Sequence, residues 1–505
     1  MPSSLTSNRP DGSLAALTRR LWRFLFAPGA ALNLAVLRVV VFTTLLLGLL
    51  NEPIREIASW PRDNLQWPSI AGAVLQHLPI GVEITDWLLP VAIAATALAL
   101  IGLFTRTASW IAVLLSFYLL GIAQCSGAAN YALHHVVLIG TLLACSRAGD
   151  ALSIDSLWRA FRNADHGRVQ RVAHSVRYGL PIRLAMLVVA ITYFFPGFWT
   201  AVSGAANLTA VLMMAVVWMI GWPLAVWWKP TRLVWAGLGL LFHATTRLLS
   251  TLHAPTLLAM YVMFVDWQRL FGLLGRKLFR QPITVLYDGN CKMCRRTMGM
   301  LLTLDWLEQL HPVNAFDRER FAAMGLGYLE DDALMRDMHA AERTPQREWH
   351  TTKGFDAYQR IAWRVPLLWP TLLVIYLPPV ASLGRKIYRH VADNRACSVP
   401  IKRDEAPTAA IRWSAKPLLV VGAVILAAQV MVGASRMHRS WPVACYPLLD
   451  TTDISAADWP ERDAILAEGA IVGWGDDALR NYFTDSRHES KVQGVRENQG
   501  EKQPG

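Results

Sequence analysis

Charged side chains vanish from three long stretches of the chain: residues 87–105, 107–146 and 184–228 contain no Asp, Glu, Lys or Arg. A helix that crosses the ~30 Å hydrocarbon core of a bilayer needs about 20 apolar residues. The first stretch therefore predicts one span. The other two predict two spans each, turning at CSGAAN and near SGAAN. Further spans are predicted at 32–50, 233–250, 252–268 and 417–435. Arg38, near the start of the first, is expected to snorkel. The pattern amounts to nine spans.

The period changes after residue 281. PITVLYD alternates like a strand, CKMCRRTMGMLLTLDWLEQL has apolar residues at helical spacing, and LHPVN reads as a second strand before a helix near 316–325. ALMRDMHA and EWHTTKG predict a hairpin around TPQ, and KGFDAYQRIAWRV predicts another helix. This βαβαββα order is that of a thioredoxin-like domain. The fold class expected is thus a multi-span α-helical membrane bundle plus a small α/β thioredoxin-like domain. One run, VPLLWPTLLVIYLPPVASL at 365–383, is free of charge but broken by four prolines. It is expected to pack on the membrane face or on its own domain without crossing.

Charge orients these elements. With the N-terminus placed in the cytoplasm, the inner segments hold 18 Lys and Arg, among them seven arginines from Arg147 to Arg183, whereas the outer segments hold only Arg55, Arg62 and Arg247. Such asymmetry is a positive-inside signal. It predicts a multi-pass protein of a bacterial inner membrane whose residues after the eighth span face the cytoplasm. The net charge of +12 does not point to nucleic acid, because the basic residues lie between apolar spans. Six cysteines in 505 residues do not form a disulfide scaffold. The first apolar segment is long enough to stay in the membrane, so no cleaved signal is expected. The expected divisions are a cytoplasmic segment (1–31), a membrane domain of about eight spans (32–280), the α/β domain (281–400), a linker with the final helix (401–435), and a polar tail (436–505) disordered from about 485.

The chemistry concentrates in VLYDGNCKMCRRTM, residues 285–298. A CxxC pair can be a redox dithiol, half a zinc site or a structural remnant. Zinc normally needs four ligands, and only Cys397 and the scattered His311, His339, His350 and His390 follow. No metal is therefore expected. In a strand–CxxC–helix arrangement the first cysteine caps the helix, where unpaired N–H groups and the helix dipole favour a thiolate. Cys291 is expected to be an exposed, low-pKa nucleophile and Cys294 the resolving thiol, with Lys292, Arg295 and Arg296 supporting the thiolate. Asp288 is either a proton acceptor or a turn former. A cytoplasmic dithiol rests reduced, which predicts a reductase acting on a protein or small-molecule disulfide without any cofactor beyond the dithiol.

YDGNCKMC at 287–294 resembles the DCC family of predicted thiol-disulfide oxidoreductases, named for an Asp-x-x-Cys-x-x-Cys pattern that Asp288, Cys291 and Cys294 match. KGFDAYQRIAWRVPLLWP and LGRKIYRHVADNR resemble that family's C-terminal half, so the proline-broken run is implied to belong to the family's domain. Unlike a thioredoxin, the chain has no proline before the third strand. The membrane half resembles, less closely, the HTTM domain shared with vitamin K-dependent gamma-carboxylases, through LAVLRVVVFTTLLLG, GLFTRTASW, SRAGDALSIDSLW and YFFPGFWT. Thr200 stands where that family places its lysine base, so carboxylation is not implied, and the family's histidine corresponds to His134 or His135.

Ionisable groups inside a bilayer are functional candidates, which singles out His134 and His135; the plainer reading is hydrogen bonding within the bundle. His243 and Arg247, four apart, either bind an anionic head group or snorkel. Three functions follow. The first is a membrane-anchored thiol-disulfide oxidoreductase. The second is an HTTM-like bundle acting on a lipid or quinone, with the dithiol domain regulatory, although no haem pair or flavin motif accompanies it. The third is a membrane scaffold with an inactive domain. Membrane lipids are partners in all three.

Overall fold

The computed structural model describes residues 13–126, 131–202, 210–249, 255–344, 346, 348–394 and 414–446. The turns at CSGAAN and SGAAN, Cys397, the linker up to 413 and the tail from 447, including its expected disorder, lie outside the described residues. The chain opens with α1 (Ser13–Leu25), then α2 (Ala31–Asn51), α3 (Val82–Ile101), α4 (Thr105–Ala123), α5 (His134–Ala144) and α6 (Ile154–Asp165). There follow α7 (Val176–Val202), α8 (Ala210–Ala225), α9 (Lys229–Leu249) and α10 (Trp267–Leu278).

Five helices among the described residues are long and apolar enough to cross a membrane: α2, α3, α4, α7 and the final helix Lys416–Ala434. At the other expected spans the elements differ. The apolar segment Tyr131–Ala144 is shorter than a bilayer, and α9 is long enough but begins with Lys229 and carries Arg232 and Arg247. The segment expected at 252–268 becomes a short turn, Thr256–Phe264, bent by 71° from α10. The apolar helix Met213–Ala225 is likewise shorter than a bilayer.

Arg38 does not snorkel, contrary to the expectation from its position. It is fully buried on α2. Its Nη1 donates to Ala148 O (2.8 Å) and Ala151 O (3.2 Å), and its Nη2 to Leu152 O and Leu100 O. A buried guanidinium is tolerated where several carbonyls accept its fork of donors. Asp155 at the start of α6 accepts from the N–H groups of Phe104 (3.0 Å) and Thr105 (2.8 Å), satisfying the open end of α4. SRAGDALSIDSLW is thereby a folded junction, with Asp150 accepting from Tyr178 Oη at 2.8 Å and paired with Arg159.

The second unit comprises β1 (Ile283–Tyr287), α11 (Lys292–Leu304), β2 (Leu310–Asn314), β3 (His339–Arg343), β4 (Trp349–Lys353) and α12 (Phe355–Arg364). Then come α13 (Trp369–Ile375), α14 (Pro378–Asn394) and α15 (Lys416–Ala434). The strand order is β2-β1-β3-β4, with β1 parallel to β2 and antiparallel to β3. This is the expected α/β domain: the helix expected near 316–325 forms at Arg318–Ala323, but the ALMR expected as hairpin strand is helical within Asp331–Arg336, so β3 starts only at His339. Strand alternation divides its core. Ile283, Val285 and Tyr287 face Met298, Leu301 and Ile361 on α11 and α12, while Leu286 faces Val313, Leu326 and Leu334. All five residues of β1 are buried, as a central strand covered on both faces requires.

Candidate dithiol site

The end of β1 delivers the chain to DGNC. Asp288 is buried, and its Oδ1 accepts from the N–H groups of Asn290 (2.8 Å) and Cys291 (3.1 Å). This is the turn-forming role: the carboxylate holds the backbone in the bend that starts the helix. Gly289 is required by close approach, since a Cβ there would lie 2.4 Å from the Asn314 side chain, whose Oδ1 accepts the Gly289 N–H at 3.1 Å. The last residue of β2 thus pins the turn that follows β1.

Cys291 is the N-cap of α11, in an extended conformation, and Cys294 lies one turn in. The Cys291 carbonyl accepts the first helical bond, from Arg295 N at 3.0 Å. The first cysteine is therefore placed where open amides and the helix dipole stabilise a thiolate. Both cysteines pack in the core cluster with Tyr287, Met298 and Met338. The expectation of an exposed nucleophile is corrected: Cys291 is 2% exposed and Cys294 6%. Met338, immediately before β3, packs in that same cluster, and its N–H donates to Tyr388 Oη at 3.1 Å.

The three cations expected to support the thiolate are bound elsewhere. Arg296 makes a two-pronged pair with Asp165 on α6, 2.7 Å from Nε to Oδ1 and 2.9 Å from Nη2 to Oδ2, and its guanidinium lies 4.1 Å over Phe161. Lys292 Nζ is 3.9 Å from the same carboxylate. Hydrogen bonding from Arg296 holds the Asp165 carboxyl below its ordinary range. Arg295 is buried and donates to Ala164 O and to Gly289 O, both at 2.8 Å. Its Nη2 has no hydrogen-bond partner among the described residues, so part of this charge remains uncompensated beside the turn. All three cations tie the dithiol helix to α6, which belongs to the membrane half.

Sequence reasoning missed the other side of this contact. Arg171, in the loop after α6, donates from Nη1 to Asp305 O (2.9 Å) and from Nη2 to Leu310 O (2.8 Å) and the Asp305 carboxylate. A Cβ on Gly299 would approach Ala160 O to 3.1 Å, which shows how closely α11 and α6 pack. The only sequence signal was the clustering of charge at 147–183, read for orientation alone.

The intramembrane candidates separate. His134 is buried and meets Trp441 edge-on, with ring centroids 4.7 Å apart. His135 Nδ1 lies 3.2 Å from Tyr446 Oη, which donates its own proton to Tyr131 O at 3.0 Å. Residues just beyond α15, Trp441 and Tyr446 among them, are therefore buried in the bundle. His243 does not snorkel: its Nε2 lies 2.8 Å from Tyr193 Oη, which accepts from Tyr261 Oη at 3.1 Å. The Arg247 side chain lies outside what is described. Thr200 Oγ1 donates to Pro196 O at 2.8 Å, an ordinary helix contact.

A strand, a DGNC turn pinned by a carboxylate and a helix that starts at Cys291 place both cysteines at the N-terminal end of α11. Residues 285–398 match the family model described as DCC1-like thiol-disulfide oxidoreductase. The matched segment runs from β1 past the end of α14 and contains Asp288, Cys291 and Cys294. The DCC1-like segment is confined to the α/β unit, and the helical bundle lies outside it. No curated protein and no solved structure matches the chain.

Proposed function

We propose that the protein is a membrane-anchored thiol-disulfide oxidoreductase whose dithiol faces the cytoplasm. The observation that carries this reading is Cys291 at the N-cap of α11, held by the Asp288 turn inside the DCC1-like segment. The Cys291 thiolate attacks a substrate disulfide and displaces one substrate thiol, leaving a mixed disulfide. Cys294 then attacks Cys291 Sγ and releases the second substrate thiol. Two electrons pass to the substrate, and the Cys291–Cys294 disulfide is returned to the dithiol by a cytoplasmic thiol reductant. The excess of Lys and Arg on one side of the spans supports a cytoplasmic, reducing location.

The test uses the full chain in detergent or lipid discs with a model protein disulfide and a thiol reductant. Cys291→Ser should abolish turnover, and Cys294→Ser should accumulate the mixed disulfide. Turnover by Cys291→Ser at the wild-type rate would refute the assignment. A second reading, a bundle with its own polar chemistry, is favoured by the Tyr261–Tyr193–His243 chain. It requires His243→Ala to remove an activity that Cys291→Ser leaves intact.

A further inference from the structure

Between Arg364 and Arg385 the chain carries no charged residue. The structure resolves this stretch into a 3₁₀ turn at Pro366–Leu368, α13 and the start of α14, with a bend of 106° between Pro366–Ile375 and α14. The prolines fall at the starts of these pieces, where a missing N–H costs nothing, so the run folds into short helices joined by a sharp bend. Neither the 3₁₀ turn nor α13 buries a residue. Leu373 is 80% exposed, and Leu367, Trp369, Leu377 and Leu383 project with it. Monomeric soluble domains seldom leave so many large apolar side chains contiguous and uncovered.

The patch continues onto a second element. Helix α10 exposes Leu270, Leu273, Leu274 and Leu278 at helical spacing, with Arg269 before them and Arg276 and Lys277 between Leu274 and Leu278. The end of α12, from which the apolar run departs, touches the segment just past α10: Arg364 Nη1 donates to Gln281 O at 3.1 Å, and its guanidinium lies 4.5 Å over Phe279. The chain thus enters the α/β unit from α10, itself continuous with the bundle, and leaves it towards the apolar helix α15. Both tethers keep this apolar surface at the membrane.

We infer that α13, the start of α14 and the leucine face of α10 form one wedge inserted into the leaflet on the dithiol side, its occupant being lipid acyl chains. The run is too short and too sharply bent to cross, but its exposed leucines match the shallow burial of interfacial helices. Trp363 and Trp369, joined by a bond from Trp369 Nε1 to Trp363 O (3.0 Å), stand at the edge of the run, the position of an interfacial aromatic anchor. Arg276, Lys277, Arg280 and Lys386 flank the patch in sequence and complement anionic head groups. The wedge fixes the dithiol helix next to the leaflet, so the disulfides it reaches are those of membrane proteins or of chains held at the membrane surface. This inference rests on the bundle being membrane-spanning.

The experiment places a photoactivatable diazirine residue singly at Leu373, Leu377, Val424 and Glu319 of the full chain, reconstituted in phosphatidylcholine–phosphatidylglycerol vesicles. Val424 is exposed on α15 and Glu319 on the far helix after β2. Acyl-chain adducts at Leu373, Leu377 and Val424, with none at Glu319, are the expected result. Adducts at Val424 without any at Leu373 and Leu377 overturn the wedge and leave the anchoring intact. Their absence from all three positions overturns both. Crosslinks from Leu373 to a second copy of the chain overturn the wedge in favour of a protein contact.

Discussion

Asp165 on α6 and Arg296 on α11 face each other with both oxygens and two nitrogens engaged, at 2.7 and 2.9 Å. This pair joins the membrane half to the dithiol helix at its first turn, next to Cys291 and Cys294. Bidentate geometry gives such a pair direction as well as attraction, so it sets the orientation of α11 against α6. Cys291 and Cys294 are buried on that same helix.

Asp165→Asn removes the charge that Arg296 and Lys292 share. A half-buried single ion pair is a weak clamp, so alkylation of Cys291 by a small thiol reagent should rise only about two- to five-fold. Mass spectrometry of the labelled thiol measures it. An unchanged rate would show that α6 does not control access.

The pH dependence of that clamp has a definite sign. The Asp165 carboxyl is held below its ordinary value of 3.8 by Arg296. Its contribution is complete above that value and is lost only as pH falls through the depressed one. The ratio of alkylation rates between Asp165→Asn and wild type should therefore be constant from about pH 5 to pH 8 and close on unity only in stronger acid.

Arg171→Met leaves the fully buried Asp305 carboxylate without its cation. The remaining N–H donors of Gln309 and Leu310 keep it hydrogen-bonded but uncompensated in charge. A loss of about 3 kcal/mol is expected, the low end for removing one partner of a buried pair. Denaturant melting of the full chain in detergent reads it.

Arg38→Lys should fare little better than Arg38→Met, because a single ammonium cannot reproduce a planar fork spread over four carbonyls. Either change should cost at least about 3 kcal/mol through stranded buried acceptors. Thermal melts followed by size exclusion test this, and recovery by lysine would discount the fork.

His339 begins β3, is buried, and is pushed below its ordinary 6.5 by that burial. Above pH 6.5 it is neutral folded or unfolded. Below that, the unfolded chain takes the proton first, so the domain loses stability, by at most about 1.4 kcal/mol per pH unit, until the lower folded value is reached. Amide exchange over residues 338–354 should show protection falling between pH 6.5 and 5.5. His339→Gln should flatten that fall.

The sequence by itself determined the two-part architecture, because bilayer length and strand alternation are local, one-dimensional properties. Residues 87–101 lie in α3, PITVLYD became the central strand, and CKMC became a helix start. It also singled out Asp288, Cys291 and Cys294, which lie inside the segment that matches the DCC1-like model. The tertiary structure decided everything that depends on partners distant in the chain. Lys292, Arg295 and Arg296 look like thiolate supports until Asp165 and Ala164, some 130 positions earlier, are seen to hold them. Arg38 looks like a snorkelling residue until four carbonyls close around it. His243 looks like a lone polar residue until Tyr193 meets it. Apolar spacing records how much surface a segment must bury, but a charge is disposed of pairwise, and the identity of its partner is written only in the packing.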